Sequence, residues 1–178
     1  MKKLHLGCGW RNFGPDWIHI DGGNYEHLDF GDITKLIYQD NTVDLIYASH
    51  VLEYFDRDEA EVLLTEWIRV LKPGGTLRIA VPDFKRLMWV YQHTTDLNKI
   101  LGPLFGKMKM GEETIYHKTV YDLESMKRLL EKLKLKNVKT YNWRETEHAG
   151  FDDHSQAYFP HLNKENGLLI SLNIEATK

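Results

Sequence analysis

Leu4-His5-Leu6-Gly7-Cys8-Gly9, followed by Trp17-Ile18-His19-Ile20-Asp21, reads as a short apolar strand, a glycine turn, a second strand and a closing carboxylate. That is the outline of a nucleoside-binding sheet edge. Gly7 and Gly9 can take backbone angles that a β-carbon disfavours and let a ligand approach the main chain, and a carboxylate at Asp21 can accept hydrogen bonds from both ribose hydroxyls. The bland alternative is that Asp21 caps a turn. A dinucleotide fingerprint needs a third glycine, where Asn12 stands, and an acidic residue about 20 positions further on, whereas Asp21 comes too early. The short Gly7–Asp16 connection is close to the lower limit for a crossover and offers few amides to a pyrophosphate. No Gly-Lys-Ser/Thr follows the glycines, which excludes a P-loop.

Further along, Asp44-Leu45-Ile46-Tyr47 and Leu77-Arg78-Ile79-Ala80-Val81 are apolar runs suited to buried parallel strands. Between them Ala60, Leu63, Leu64, Trp67, Ile68 and Leu71 form one helical stripe. Asp56 and Glu59 have capping-box spacing, and Pro73-Gly74-Gly75 ends the helix. Strand, helix and strand make a right-handed βαβ unit, with a ligand expected at the carboxyl ends of the strands.

Four ordered segments resemble the class I S-adenosylmethionine-dependent methyltransferases. The glycine turn is the first. Asp29-Phe30-Gly31-Asp32-Ile33 resembles the third-strand motif, Val43 to Tyr54 the fourth strand and its loop (D-x-I-x-x-x-H-V-L-E-H), and Arg69 to Leu77 the turn into the fifth strand. The resemblance implies an α/β fold: a Rossmann-like, doubly wound, mostly parallel seven-stranded sheet with an antiparallel C-terminal strand pair. It implies one domain over residues 1–178, with 82–118 as an acceptor-side insert or lid.

It also implies S-adenosylmethionine as cofactor. The Gly7 and Gly9 backbone would lie under the methionine part, with Cys8 and Trp10 in the same cofactor-binding turn. Asp21 would bond the ribose, Asp32 and Ile33 would flank the adenine, and Ser49 with His50 would line the sulfonium end. Alternatives stay open: Asp32 as a solvated loop carboxylate, His50 as packing beneath Val51 and Leu52, Cys8 as a small turn residue. Two positions depart from the family, His5 where an acidic residue is common and Arg11 where a third glycine is usual. The short form resembles small bacterial-type methyltransferases, some of them linked to surface polysaccharide synthesis.

The implied reaction is direct methyl transfer to a small-molecule or saccharide-like acceptor, and a hydroxyl acceptor needs a base. Candidates are His50, Asp83, His117 and His154. A catalytically inactive binding or scaffold subunit is the alternative, and a nucleotide-sugar enzyme a third reading. Asp152-Asp153-His154 has metal-ligand chemistry, but adjacent residues rarely aim together at one ion, so no metal is expected. Val81-Pro82-Asp83 stands where a nucleobase or glutamine methyltransferase would carry Asn/Asp-Pro-Pro-Tyr.

The 178 residues suit one domain, and a net charge of −3 provides no field for nucleic acid or an anionic membrane. The basic residues between Lys127 and Lys139 read as the solvated face of an amphipathic helix. One cysteine excludes an intrachain disulfide, and neither a signal peptide nor a membrane span is legible. A soluble, cytoplasmic protein is expected. With nothing ahead of the first strand to cover the cofactor, a homodimer or a mobile loop within Phe84–Lys118 is expected to complete the pocket. The tail reads as a helix opened at Asp122, then strands over Val138–Trp143 and Leu168–Glu175, with Gly102-Pro103 as a break.

Overall fold

The computed structural model describes residues 1–178. In chain order it contains β1 (Lys3–Leu6), β2 (Ile18–Ile20), β3 (Val43–Ser49), α1 (Arg57–Val70), β4 (Leu71–Pro82), α2 (Phe84–Thr94) and α3 (Asn98–Phe105). There follow β5 (Met108–Met110), β6 (Glu113–Ile115), α4 (Leu123–Lys132), β7 (Lys136–Thr140), β8 (Tyr158–Phe159), β9 (Leu168–Leu169) and β10 (Ser171–Thr177). The central sheet has the order β2-β1-β3-β4-β10-β7. Its first four strands are parallel, and β10 runs antiparallel to both β4 and β7.

The expected sheet is therefore present with six strands rather than seven. The missing one is the third-strand motif, where only an isolated bridge between Ile20 and Phe30 forms. Asp29-Phe30-Gly31-Asp32-Ile33 has no alternation of apolar residues to bury. Its carboxylates turn to local amides, Asp29 accepting from the His19 amide and Asp32 from the Thr34 amide. No helix forms between β1 and β2 or between β2 and β3.

The two faces of the sheet are filled differently. Leu4, Leu6, Ile46 and Ala48 point to the main core, which they share with Leu64 and Trp67 of α1 and Met126 and Leu130 of α4. Leu45 and Tyr47, one residue out of phase, point to the opposite face and meet Phe13 and Trp17. That face has aromatic rings where a crossover helix would lie. His5 stacks on Phe13 at 4.0 Å between ring centres, and His148, from the far end of the chain, stacks on its ring at 5.1 Å.

Local sequence signals define α1. The Asp56 carboxylate accepts from the Asp58 and Glu59 amides, and the Glu59 side chain accepts from the Asp56 amide, the reciprocal capping box. At the other end the Lys178 ammonium donates to the carbonyls of Ile68, Arg69 and Leu71, the negative end of the helix dipole. Asp122 caps α4 in the same way as Asp56 caps α1. Gly102-Pro103 is not a break: both residues lie inside α3. The segment 106–118 carries the β5–β6 hairpin.

Candidate functional site

The carboxyl ends of β1, β2, β3 and β4 open into a cleft of about 1530 Å³. Gly7, Gly9, Trp10, Asp21, Asp32, Ile33, Ser49 and His50 all line it, together with His154 and His117. Residues far apart in the chain meet here because parallel strands all end on one side.

The glycine turn forms the floor. Gly7 and Gly9 both have positive φ, +64° and +55°. A Cβ at Gly7 would stand 2.2 Å from Val51 Cγ2, whereas a Cβ at Gly9 would meet no atom within 4 Å. Gly7 is thus required by the fold, and Gly9 leaves open the space that a ligand would take. Asp21 is buried at 9% exposure. Its Oδ2 accepts from the Gly9 amide at 2.8 Å and its Oδ1 from the Gly23 amide at 2.7 Å. The carboxylate is therefore both a turn clamp and a cleft residue, because each oxygen keeps a second lone pair.

Asp32 accepts from the Thr34 amide and hydroxyl, at 2.7 and 2.6 Å, and these bonds lower its pKa. The next residue is anchored from the core, since Trp67 Nε1 donates to the Ile33 carbonyl at 2.8 Å. Ser49 Oγ is buried in the cleft wall without a hydrogen-bond partner. Trp10 is 67% exposed on the rim, with the Arg11 guanidinium 4.8 Å from its ring centre.

Two candidate residues stand apart from the cleft. Cys8 turns its side chain into the core, and burial, with Asp21 nearby, pushes its thiol up to about 12, so it is an inert turn residue there. Asp83 is the cap of α2, accepting from the Arg86 amide at 3.2 Å, and burial raises its pKa. His5, which departs from the family pattern, does not face the cleft at all, since it points into the aromatic face. Burial, helped by His19 and His148, holds it neutral.

Imidazoles gather in one part of the cleft. His50, at the end of β3, has φ +55°, and its ring is 5.2 Å from that of His154. Its Nε2 is 3.1 Å from Ser171 Oγ, and its Nδ1 is 3.2 Å from Glu53 Oε1. Desolvation lowers the pKa of His154, and the neighbouring His50 and Arg11 act in the same direction. The carboxylates beside it diverge, for Asp152 pairs with Lys164 at 2.7 Å and Asp153 accepts from the Tyr47 hydroxyl. The hairpin closes the other side, where a Cβ at Gly22 would stand 3.3 Å from Met110 Cε. Glu53 and the hairpin were not singled out from sequence. The i, i+3 spacing of His50 and Glu53 was the available signal for Glu53, whereas Met108-Lys109-Met110 carries none.

Comparison with known proteins agrees with this geometry. Residues 18–79 match the family model described as a methyltransferase domain. Phosphoethanolamine N-methyltransferase 1 of Triticum aestivum is 34% identical over 64 residues, covering 34% of this chain and 13% of that protein. The probable methyltransferase ltbC of Aspergillus luteorubrus is 38% identical over 65 residues, covering 36% of this chain and 20% of that one. The chain thus spans a fifth or less of these relatives. Among solved structures, a SAM-dependent methyltransferase from Archaeoglobus fulgidus superposes with a TM-score of 0.61 at 20% identity, covering 99% of this chain and 86% of that one. The 1,6-didemethyltoxoflavin-N1-methyltransferase of Burkholderia thailandensis, solved with S-adenosylhomocysteine, gives 0.58 at 14% identity, with 99% and 70% covered.

The fold is that of the class I methyltransferases, and the matched segment resembles a methyltransferase domain. The cofactor of that class is S-adenosylmethionine, and relative to that fold this chain lacks the third-strand edge and both early helices. The residues fit the cofactor: Gly9 leaves a side-chain volume open over the turn, and Ser49 Oγ is a buried polar atom in the wall with its bonding capacity unused.

Proposed function

We propose that this chain transfers a methyl group from S-adenosylmethionine to a hydroxyl of a small-molecule or saccharide-like acceptor, with His50 as the general base. The observation that carries the reading is the position of His50. It lines the cleft next to Ser49 on the cofactor side and against His154 on the other. A small acceptor is in keeping with the names of two relatives, which act on phosphoethanolamine and on 1,6-didemethyltoxoflavin.

In this reading the Gly9 backbone supports the methionine part, the free lone pairs of Asp21 take the ribose, Asp32 and Ile33 flank the adenine, and Ser49 Oγ lies towards the sulfonium. When bound, S-adenosylmethionine supplies an activated methyl group whose sulfur is a good leaving group. The protein's own tasks are alignment and removal of one proton. His50 takes that proton. Tyr54 and Tyr158 line the same cleft, and segment 82–118, whose hairpin also lines it, serves as the lid. A positioned base contributes on the order of 10²- to 10⁴-fold.

The test is incubation with methyl-labelled S-adenosylmethionine and a panel of sugars, sugar phosphates and small phenols. The expected result is label transfer to a hydroxylated member, lost in His50→Ala although that variant still binds S-adenosylhomocysteine. Cofactor binding without transfer to any acceptor class would turn the reading towards a binding subunit.

A further inference from the structure

Glu53 is completely buried, and neither of its carboxylate oxygens makes an aligned hydrogen bond. A carboxylate in that position is costly unless a partner answers its charge. Its near polar neighbours are two imidazoles. His50 Nδ1 lies 3.2 Å from Oε1, and His117 Nε2 lies 3.9 Å from the same oxygen. The Tyr121 hydroxyl, also buried, makes no bond to it.

The two imidazoles are not equivalent. His117 Nδ1 is 3.0 Å from the Pro103 carbonyl, which can only accept, so this nitrogen carries the proton. In its neutral form His117 therefore turns a bare Nε2 towards Glu53 and has nothing to donate. Burial lowers its pKa and keeps it in that form. The donor that Glu53 needs is Nδ1–H of His50, 3.2 Å from Oε1 and not aligned as a hydrogen bond in the structure. Such contacts commonly tighten only when a site is occupied.

The other end of His50 fits the same assignment. With the proton on Nδ1, Nε2 presents a lone pair, and the Ser171 hydroxyl at 3.1 Å can hold it. That hydroxyl has a second acceptor, Asn173 Oδ1 at 2.9 Å, so Ser171 can release Nε2 without losing a hydrogen bond.

We infer that Glu53 is the positioning residue of the site: it holds the proton of His50 on Nδ1 and leaves Nε2 free to take the proton of the acceptor hydroxyl. The transfer is a single proton movement. It leaves oxygen, arrives at Nε2, and makes His50 an imidazolium whose positive charge faces the Glu53 carboxylate. His117 links the pair to the hairpin segment. The inference rests on His50 being the base, and the test separates the two.

The first readout needs no acceptor. Two-bond ¹H–¹⁵N correlation spectra of the full-length protein, at a pH where imidazoles are neutral, report the tautomer of each assigned histidine. His50 is expected as Nδ1–H in wild type and in Glu53→Gln, which keeps an acceptor oxygen, and as Nε2–H bonded to Ser171 in Glu53→Met. The second readout is turnover: Glu53→Met should lose roughly 100-fold in kcat, with S-adenosylhomocysteine affinity unchanged. Thermal stability should hold or rise, because a buried charge is replaced by an apolar side chain of similar length. Glu53→Gln should lie between wild type and Glu53→Met in kcat. Nε2–H of His50 in wild type, or an unchanged tautomer in Glu53→Met, would overturn the inference whatever the activity shows. The expected tautomers with an active His50→Ala would instead leave the Glu53 arrangement standing and refute His50 as base.

Discussion

Gly7 and Gly9 share a left-handed backbone and one turn, yet their replacement by alanine should do opposite things. At either position the methyl costs about 1–2 kcal/mol in backbone strain alone. At Gly7 it would also stand 2.2 Å from Val51 Cγ2 and 3.2 Å from Cγ1, and Val51 is buried and stiff at its branched carbon. Overpacking of that kind adds about 1–3 kcal/mol, so Gly7→Ala should lose about 2–5 kcal/mol of stability. At Gly9 nothing in the protein lies within 4 Å, so the cost should stay at the strain term. The Gly9 amide still donates to Asp21, but the methyl enters the open volume above the turn. Urea unfolding of both variants, with calorimetric titration of S-adenosylhomocysteine, separates the effects. Gly7→Ala should unfold at much lower urea, whereas Gly9→Ala should lose only the strain term of about 1–2 kcal/mol and bind at least about tenfold more weakly, a change of about 1.4 kcal/mol. Equal losses of stability, or wild-type affinity in Gly9→Ala, would refute the assignment of one glycine to the fold and the other to the ligand.

Acid should weaken the fold through the aromatic face. Burial above all lowers the pKa of His148 to about 4 and holds His5 well below its usual range. The unfolded chain takes up these protons below about pH 6.5 and the folded one does not, so stability is full above that pH and falls as the pH drops. His148 alone should account for about 3 kcal/mol between pH 6.5 and 4, and urea midpoints measured across that range should flatten in His148→Phe. Trp67→Phe removes the bond to the Ile33 carbonyl; a loss of about 1 kcal/mol in stability and weaker S-adenosylhomocysteine binding are expected by the same two assays. Asp56→Ala should cost α1 about 1 kcal/mol in thermal or urea unfolding and leave cofactor affinity untouched, because the cap lies outside the cleft.

The elements legible in the sequence are those whose signals are local. Asp56 and Glu59 announce the start of α1, and the stripe from Ala60 to Trp67 announces its buried face. Asp44 to Tyr47 announces a strand, although it does not say that alternate residues serve different cores. Asp29 to Ile33 misleads because the motif supplies a cleft loop without the apolar residues that would make it a strand. Gly102-Pro103 misleads because tertiary contacts override its turn chemistry, with the Pro103 carbonyl held by His117. The hairpin over Met108–Ile115 is exposed along most of its length and shows no alternation, and its Met110 lies close to Gly22. The aromatic plug is assembled from Phe13, Trp17, Tyr47 and His148, whose separation in the chain hides the grouping. Gly7, Gly9, Asp21, Asp32, Ile33, Ser49 and His50 follow ordered motifs, and the structure brings them to one cleft. Glu53 was not legible, because its role depends on burial and on His117, which comes from another segment.

We read the cleft at the carboxyl ends of β1 to β4 as a site for S-adenosylmethionine. Parallel calorimetric titrations of the wild-type chain with S-adenosylhomocysteine, NAD and a UDP-sugar decide whether it is. Saturable one-site binding of S-adenosylhomocysteine alone is the predicted result. No binding of S-adenosylhomocysteine, or tighter binding of either other nucleotide, would contradict it.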